Sequence, residues 1–345
     1  YIANLSGISN LVTLDMGGTS TDVSTVVNAR ESFTTSYEIE FGIPIQIPML
    51  DIRTMGAGGG SIAWIDKGGM LRVGPQSAGA QPGPACYGRG GEEPTVTDAN
   101  VVLGRINPSN FLGGEMGLDV EAANKAVQKV ADEIKVTIDE AAIGIVQIAN
   151  NNMVGALRMV LTERGLDPRD FTLLAFGGAG PVHITDVMHS ANISSGIVPN
   201  YPGQFSAFGF IMTDARIDLE RTAQMTSKAF DKEHASRVLS DLVKEAEKSL
   251  SAQGYSGTLE VYRSLEMRYF GQNHELEVPI AFDAFDNLTI SEVWERFHSV
   301  HKARYGFDIP GETIELISIK VTAVSVTLKP SLPEIEKAIT PAEPI

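Results

Sequence analysis

The chain has 345 residues, 43% of them hydrophobic, so it can bury a substantial core and form two or three domains. Its 27 basic and 43 acidic residues give a net charge of −16, which argues against nucleic-acid and membrane-surface partners. The single cysteine, Cys86, excludes an internal disulfide and a cysteine-based zinc cluster, and with no apolar run of membrane-spanning length and no signal peptide we expect a cytoplasmic protein.

The first predicted element is a β-hairpin with a functional tip. Residues 11–14 form a short buried-type strand that ends at Asp15, and residues 23–27 form a second β-rich run. Because the chain begins at Tyr1 without an initiator methionine and its first clear element already carries a ligand-type loop, we expect it to be the later part of a longer protein.

Residues 40–115 are rich in glycine and proline, yet short apolar pieces interrupt them, so we expect ordered loops and short strands. The glycine-rich stretch from Gly56 to Ser61 has three interpretations. It can form an anion-binding nest, let another backbone pass closely, or, as we favour, be a turn between packed strands. Asp51 and Arg53 are positioned to pair just before it.

Two amphipathic helices are predicted next, the first capped by Asp119 and the second opened by Asp139 and ending near Gly165. Residues 171–176 then read as a buried strand, and residues 182–190 as a helix, with a glycine turn between them. After about residue 225 we expect helices over 232–252 and 291–305 and strands over 261–270, 275–280 and 314–328, followed by a tail from residue 330.

The tip of the hairpin is the strongest candidate for chemistry. Its adjacent glycines let backbone N–H groups approach a phosphate, its hydroxyls add donors, and Asp15 at the strand end can hold Mg²⁺ or orient a nucleophile. The alternative is an ordinary tight hairpin. The candidate phosphate-binding residues are Gly17, Gly18, Thr19, Ser20 and Thr21, and the candidate catalytic residues are Asp15 and Asp22.

The turn Gly177–Gly178–Ala179–Gly180 is a second candidate, because three glycines between a strand and a helix admit part of a nucleotide against the helix N-terminus. The alternative is a tight strand-to-helix turn. His183, just after it, has three interpretations: a base, a donor that contacts a ligand or, as we favour, a polar residue that caps its own helix.

Other residue types that can do chemistry stand elsewhere in the chain. The pair His298 and His301 is interpreted as part of a solvated face and not as a metal site, and Cys86 as a buried structural thiol. Asp98 is either a helix N-cap or a carboxylate behind the site.

Several long segments, in one order, resemble the hydantoinase A / 5-oxoprolinase family. They span about residues 11–215 and include residues 15–23, 56–64, 74–88, 94–100, 148–153, 164–171 and 175–181. Residues 267–272 and 301–306 resemble that family's C-terminal region more loosely.

The resemblance implies an α/β fold of the actin, Hsp70 and sugar-kinase type, in which two lobes close over ATP. Asp15–Asp22 resembles the second phosphate hairpin of that group and Gly177–Gly180 its adenosine loop. The first hairpin has no counterpart, so we expect the N-terminal lobe to be absent. We divide the chain into a nucleotide-binding lobe over 1–215, a smaller α+β region over 216–330 and a tail over 331–345.

The family further implies a subunit of an ATP- and Mg²⁺-dependent hydrolase that opens a cyclic amide such as a hydantoin, 5-oxoproline or a lactam, by phosphorylating the amide oxygen. A B-type partner subunit and an oligomer are expected with it. The alternatives are an ATP-dependent ketone carboxylase subunit and a nucleotide-switched binding or chaperone module without turnover of a small molecule.

Overall fold

The computed structural model describes residues 1–34, 37–39, 43–45 and 49–330. The chain divides into two compact units, Tyr1–Phe210 and a second that begins at Ile211. The tail expected over 331–345 lies outside the described residues, as does part of the glycine- and proline-rich stretch after residue 34. No helix in the part of the chain that the structure describes is long and apolar enough to span a membrane.

The first unit contains a mixed sheet with helices on it. Its helices are α1 Ile2–Ser6, α2 Val96–Val102, α3 Val120–Ile134, α4 Ile138–Thr162, α5 Gly180–Ala191 and α6 Phe205–Ile211, the last of which ends at the boundary. Its strands are β1 Leu11–Met16, β2 Thr21–Val27, β3 Arg30–Glu31, β4 Phe33–Thr34, β5 Tyr37–Ile39, β6 Ile43–Ile45, β7 Met49–Leu50, β8 Ile52–Met55, β9 Ser61–Ile65, β10 Leu71–Ser77, β11 Thr172–Phe176 and β12 Ser195–Ile197.

The main sheet has the order β12-β11-β1-β2-β3, with β8 also paired to β2. Strands β1, β11 and β12 are parallel, whereas β2 returns antiparallel to β1 and confirms the predicted hairpin. The two strands that carry the candidate loops, β1 and β11, are therefore neighbours, and both loops follow the same end of the sheet.

The two faces of this sheet are covered differently. Leu14 and Met16 of β1 point to the main core, where they pack with α3, α4 and α5. The alternate residues of the strands point to the other face, where Leu11 and Leu174 meet α1. Because side chains alternate along a strand, Asp15 lies on this second face, which carries less of the apolar core.

The helix predictions for this unit are largely confirmed. Asp119 caps α3 by accepting the Ala122 N–H at 2.9 Å. The second helix begins one residue earlier than expected, because Thr137 is its N-cap and forms a capping box with Glu140.

The second unit packs two helices on an antiparallel sheet of order β13-β16-β14-β15. Its elements are β13 Ala215–Thr226, α7 Lys232–Ala252, β14 Thr258–Tyr269, β15 Leu276–Ile280, α8 Asn287–Tyr305 and β16 Ile314–Val326. The buried side chains that alternate along β16 and those on the apolar face of α7 belong to one core. The predicted helices and strands of this region are confirmed within a few residues.

Candidate functional site

The tip of the β1–β2 hairpin presents free hydrogen-bond donors. The turn is closed by the Gly17 N–H, which donates to the Ser20 carbonyl at 3.0 Å. Among the described residues, none accepts a hydrogen bond from the N–H of Gly18, Thr19 or Ser20, or from the Thr19 and Ser20 hydroxyls. Gly18 and Thr19 are exposed. Several oriented donors in one exposed turn are the arrangement that binds phosphate oxygens.

Thr21 differs from its neighbours in the turn. It is fully buried, and its hydroxyl donates to the Ala57 carbonyl at 2.5 Å. The expectation that this hydroxyl contacts a phosphate is therefore wrong in this conformation, since the oxygen is enclosed and its proton is already donated. Thr21 instead holds the base of the hairpin.

Asp15 and Asp22 are directly opposite each other on adjacent strands. Cross-strand partners have Cβ atoms about 4.5–5.5 Å apart, and two like charges so placed repel each other. Asp15 accepts the Ser206 hydroxyl at 2.7 Å and Asp22 accepts the Thr54 hydroxyl. Within the described ranges no lysine or arginine forms an ion pair with either carboxylate. The pair is thus suited to a cation.

A pair of carboxylates suits Mg²⁺ better than it suits a metal ion that is held by protein ligands alone. Across the described residues, no group of three or more His, Cys, Asp or Glu side chains is arranged to hold a metal ion. Mg²⁺ commonly uses one or two carboxylates and completes its octahedron with waters and phosphate oxygens. Asp15 and Asp22 beside a phosphate-type turn satisfy that requirement.

The glycine turn after β11 is fixed against the end of β1. Gly177 has φ +80° and donates its N–H to the Pro202 carbonyl at 2.9 Å, and the Ala179 N–H donates to the Met16 carbonyl at 2.9 Å. A Cβ on Gly177 would lie 2.5 Å from Asp15 Oδ1. Gly178 is exposed, and Gly180 begins α5. The turn and the hairpin therefore form one continuous surface beside Asp15.

The stretch from Gly56 to Ser61 is not an anion nest. The Gly58 N–H donates to the Ser61 hydroxyl at 2.8 Å, and the N–H groups of Gly59 and Gly60 donate to the Gly17 and Gly18 carbonyls at 3.0 and 2.6 Å. These donors are already used within the chain. The stretch is the turn between strands that we favoured, since it joins β8 to β9, and it also lets the backbone of the hairpin pass closely.

Asp98 is a buried structural carboxylate. Thr95 is the N-cap of α2, and Asp98 completes its capping box. The carboxylate also accepts the N–H groups of Ala85 and Cys86, at 3.2 and 2.8 Å. Burial, followed by the nearby Asp98 charge, raises the pKa of the Cys86 thiol well above its usual range. Cys86 is therefore an unreactive structural thiol, as expected from the sequence.

His183 is enclosed in a polar network that the sequence patterns did not predict. Its Nδ1 lies 2.7 Å from Asn150 Oδ1 and its Nε2 lies 3.3 Å from Asn100 Nδ2. Since an amide nitrogen donates, Nε2 accepts and Nδ1 carries the proton, which is the neutral tautomer. Burial, with the charge of Arg105, lowers the pKa of His183 to about 4. The interpretation of His183 as a cap of its own helix is wrong.

The same network adjoins a cavity of about 390 Å³ between α4 and α5, lined by residues that include Arg105, Asn150 and Asp186. Neither the hairpin tip nor the glycine turn lines it. The size of this cavity therefore does not point to the candidate loops, which are chosen by the geometry of their hydrogen-bond donors.

His301 is a core residue rather than part of a solvated face. It is 1% exposed, and its Nδ1 lies 2.8 Å from the Phe307 carbonyl. His298 Nδ1 lies 2.6 Å from the Tyr269 hydroxyl. The two imidazoles have separate protein partners, so the solvated-face interpretation is wrong for His301.

Comparison with known proteins places the chain in a family. A family model described as Hydantoinase/oxoprolinase matches residues 1–219. Caprolactamase subunit alpha from Pseudomonas jessenii is 38% identical over 339 residues, covering 97% of this chain and 49% of that subunit. Acetophenone carboxylase gamma subunit from Aromatoleum aromaticum is 35% identical, covering 97% of this chain and 47% of that subunit. The chain thus spans about half the length of these relatives.

A solved structure is similar over almost the whole chain. The crystal structure of ATP-dependent caprolactamase from Pseudomonas jessenii matches with a TM-score of 0.82 and 37% identity, covering 99% of this chain and 50% of that one. The α/β fold class predicted from the sequence is confirmed, and the match is consistent with an actin-like ATPase lobe.

Proposed function

The chain belongs to the hydantoinase/oxoprolinase family, and we propose that it is a subunit of an enzyme that uses ATP to hydrolyse a cyclic amide. The observation that supports ATP use most directly is the hairpin tip, where three N–H groups and two hydroxyls have no acceptor among the described residues, next to two paired carboxylates. This combination meets both the anionic oxygens of a nucleotide and the cation that accompanies them.

Each part of the surface has a proposed role. The N–H groups of Gly18, Thr19 and Ser20 bind phosphate oxygens, and Asp15, with Asp22 beside it, holds Mg²⁺. Mg²⁺ would neutralise charge on the phosphates as the terminal phosphoryl group is transferred. Gly177 and Gly180 are buried and let the turn lie close against β1, and the exposed Gly178 offers the nucleoside a surface without a side chain. This site belongs to a nucleotide-binding lobe over residues 1–215.

Phosphorylation explains why ring opening needs ATP. The amide oxygen attacks the terminal phosphorus and ADP leaves, so the ring carbon becomes bonded to a phosphorylated oxygen. Water then adds to that carbon and the ring C–N bond breaks, which leaves a free amine and an acyl phosphate. A second water attacks the acyl carbon, and phosphate leaves with the original amide oxygen. The fixed donors at the hairpin tip would stabilise the transferring phosphoryl group without reorganising.

Oxygen labelling tests this proposal. The complete protein that carries this sequence, with its partner subunit, is given ATP and a lactam or 5-oxoproline labelled with ¹⁸O at the carbonyl. We expect one ring opened per ADP formed and ¹⁸O in the released phosphate. Ring opening without ATP consumption, or unlabelled phosphate, would contradict the proposed chemistry.

A second candidate function is a ketone carboxylase subunit, because acetophenone carboxylase gamma subunit is similar over nearly the whole chain. The same phosphate site would then activate a ketone or bicarbonate. Incorporation of labelled bicarbonate into an acid product, without ring opening of any cyclic amide, would favour this candidate. ATP hydrolysis that depends on neither substrate would instead indicate a nucleotide-switched module.

A partner subunit is part of the proposal, since the relatives are named as the alpha or gamma subunit of their enzymes. We also propose an oligomeric assembly and a cytoplasmic location. Co-purification of a second polypeptide with the complete protein tests the first of these.

A further inference from the structure

We propose that Thr97 is a positioning residue that orients the phosphate-binding N–H groups of the hairpin tip through the backbone of Gly59. The inference rests on the proposed function of that tip and adds a residue that does not itself touch the nucleotide. Thr97 lies in the first turn of α2 and is only 7% exposed.

The connection consists of consecutive hydrogen bonds. Both the hydroxyl and the N–H of Thr97 donate to the Gly59 carbonyl at 2.8 Å. The Gly59 N–H then donates to the Gly17 carbonyl at 3.0 Å, and the Gly60 N–H to the Gly18 carbonyl at 2.6 Å. Two hydrogen bonds from Thr97 thus fix the backbone at Gly59, and the N–H groups of Gly59 and Gly60 in turn fix the tip.

The geometry of the peptide bond explains how these hydrogen bonds orient the N–H groups of the tip. In a trans peptide unit the carbonyl of one residue and the N–H of the next point in opposite directions. Holding the Gly17 carbonyl therefore directs the Gly18 N–H away from Gly59. Holding the Gly18 carbonyl does the same for the Thr19 N–H. These are two of the three N–H groups that we assign to the phosphates.

The support depends on close backbone approach. None of the glycines in the stretch from Gly56 to Gly60 has a positive φ, so backbone conformation does not require them. A Cβ on Gly58 would lie 2.6 Å from the Thr19 nitrogen. A Cβ on Gly59 would lie 2.7 Å from Thr97 Oγ1, whereas its next contacts are ordinary, at 3.7 and 3.8 Å. Thr97 and Gly59 therefore form a matched pair.

Thr97 is itself held in place by its neighbour. Asp98 accepts the N–H and hydroxyl of Thr95, at 3.0 and 2.7 Å, and the N–H groups of Ala85 and Cys86. The first turn of α2 is consequently tied to a second loop on its other side. A rigid anchor of this kind lets a single hydroxyl define the position of the tip.

The test uses the complete protein and a small set of variants. Thr97→Val keeps the shape and removes the hydroxyl, and Thr97→Ser restores it. Thr172→Val is the matched control, because Thr172 is also buried and its hydroxyl lies 2.7 Å from Ser195, at the opposite end of β11 from the glycine turn. Gly59→Ala is made alone and together with Thr97→Ala.

We measure the Kd of Mg-ATP by calorimetry, and hydrogen exchange of the Gly58–Ser61 backbone without nucleotide. Thr97→Val should raise the Kd roughly threefold to tenfold and speed that exchange, as expected when a buried hydrogen bond is lost. Thr97→Ser should stay within about twofold of wild type, and Thr172→Val should leave the Kd unchanged. Gly59→Ala with Thr97→Ala should bind no more weakly than Gly59→Ala alone.

The outcomes separate this inference from the proposed function. If Thr97→Val leaves both the exchange and the Kd as in wild type, or if Thr172→Val weakens binding equally, the positioning role is overturned. If the wild type binds no ATP while Thr97→Val still speeds exchange, the proposed function fails but Thr97 remains the residue that holds the tip.

Discussion

Replacing Gly177 by alanine should destabilise the first unit substantially. Gly177 has φ +80°, and an added Cβ would lie 2.5 Å from Asp15 Oδ1 and 2.8 Å from the Met16 carbonyl carbon. The Met16 backbone cannot retreat easily, because its carbonyl accepts the Ala179 N–H and its strand pairs on both sides. The substitution therefore combines backbone strain with a steric overlap.

The size of the effect follows from these two contributions. A left-handed conformation costs a residue with a side chain about 1–2 kcal/mol. Overpacking in a tight site costs about 1–3 kcal/mol more. The smaller conformational entropy of unfolded alanine offsets about 0.4–1 kcal/mol. We expect the free energy of unfolding to fall by about 1–5 kcal/mol, which lowers the Tm of a unit of this size by about 2 °C at the least.

Thermal unfolding followed by calorimetry measures this change, with Gly178→Ala as the control. Gly178 is the next residue, but it is exposed and its φ is not positive. No atom of the described residues lies within 4 Å of the position that an added Cβ would take. Its Tm should match the wild type within about 1 °C, since surface changes usually alter stability by under 0.5 kcal/mol. Equal Tm values for Gly177→Ala and Gly178→Ala would refute the argument from backbone geometry.

Three further predictions concern buried polar groups. Asp98→Asn should lower the free energy of unfolding by about 2–4 kcal/mol, because an amide NH₂ would face N–H donors. Urea unfolding measures this change. Unchanged stability would contradict the assignment of Asp98 as a structural carboxylate. The pKa of His183 is about 4 in the folded chain and about 6.5 when unfolded, so the unfolded state takes up the proton first as pH falls. The contribution of His183 to stability is therefore complete above about pH 6.5 and lost towards pH 4. His183→Gln should flatten the plot of unfolding free energy against pH in that range. Parallel plots for wild type and variant would contradict this prediction. Cys86 should resist iodoacetamide at pH 8 in the native state and react fully in urea, as mass spectrometry would record, because burial raises its pKa.

The local parts of this site could be predicted from the sequence. A β-rich run that ends in Asp15, followed by two glycines and a second run, specifies a hairpin through patterns that lie within a few residues of one another. The same holds for the turn at Gly177, where a buried strand precedes a helix. In both places the structure agrees with the expected elements.

The contacts between these segments could not be predicted in the same way. Gly59 and Gly60 reach the hairpin from about forty residues away, and a run of glycines looks the same whether it binds an anion or another backbone. Ser206 lies on a helix far from Asp15 in the sequence, and no motif predicts the hydrogen bond between them. The helical spacing of His301 indicated a solvated face, whereas its partner comes from a loop rather than from its own helix.

The partner of His183 is a case in which the sequence carries a signal that could have predicted a buried polar contact. Its partner Asn150 begins a run of three asparagines within a helix that is otherwise largely apolar on that side. A buried amide needs a polar partner, so an asparagine on the apolar face of one helix predicts a complementary group on another. Helical spacing alone did not identify which group it was.

The most direct test of the central claim is a titration of the complete protein with Mg-ATP by calorimetry, comparing wild type with Asp15→Asn. Asp241→Asn, which removes the same charge from an exposed position on α7, is the control. We expect Asp15→Asn to raise the Kd at least about tenfold, the effect of about 1.4 kcal/mol, while Asp241→Asn binds as wild type does. Equal affinity for wild type and Asp15→Asn would contradict the claim that this hairpin holds the metal and phosphates of ATP.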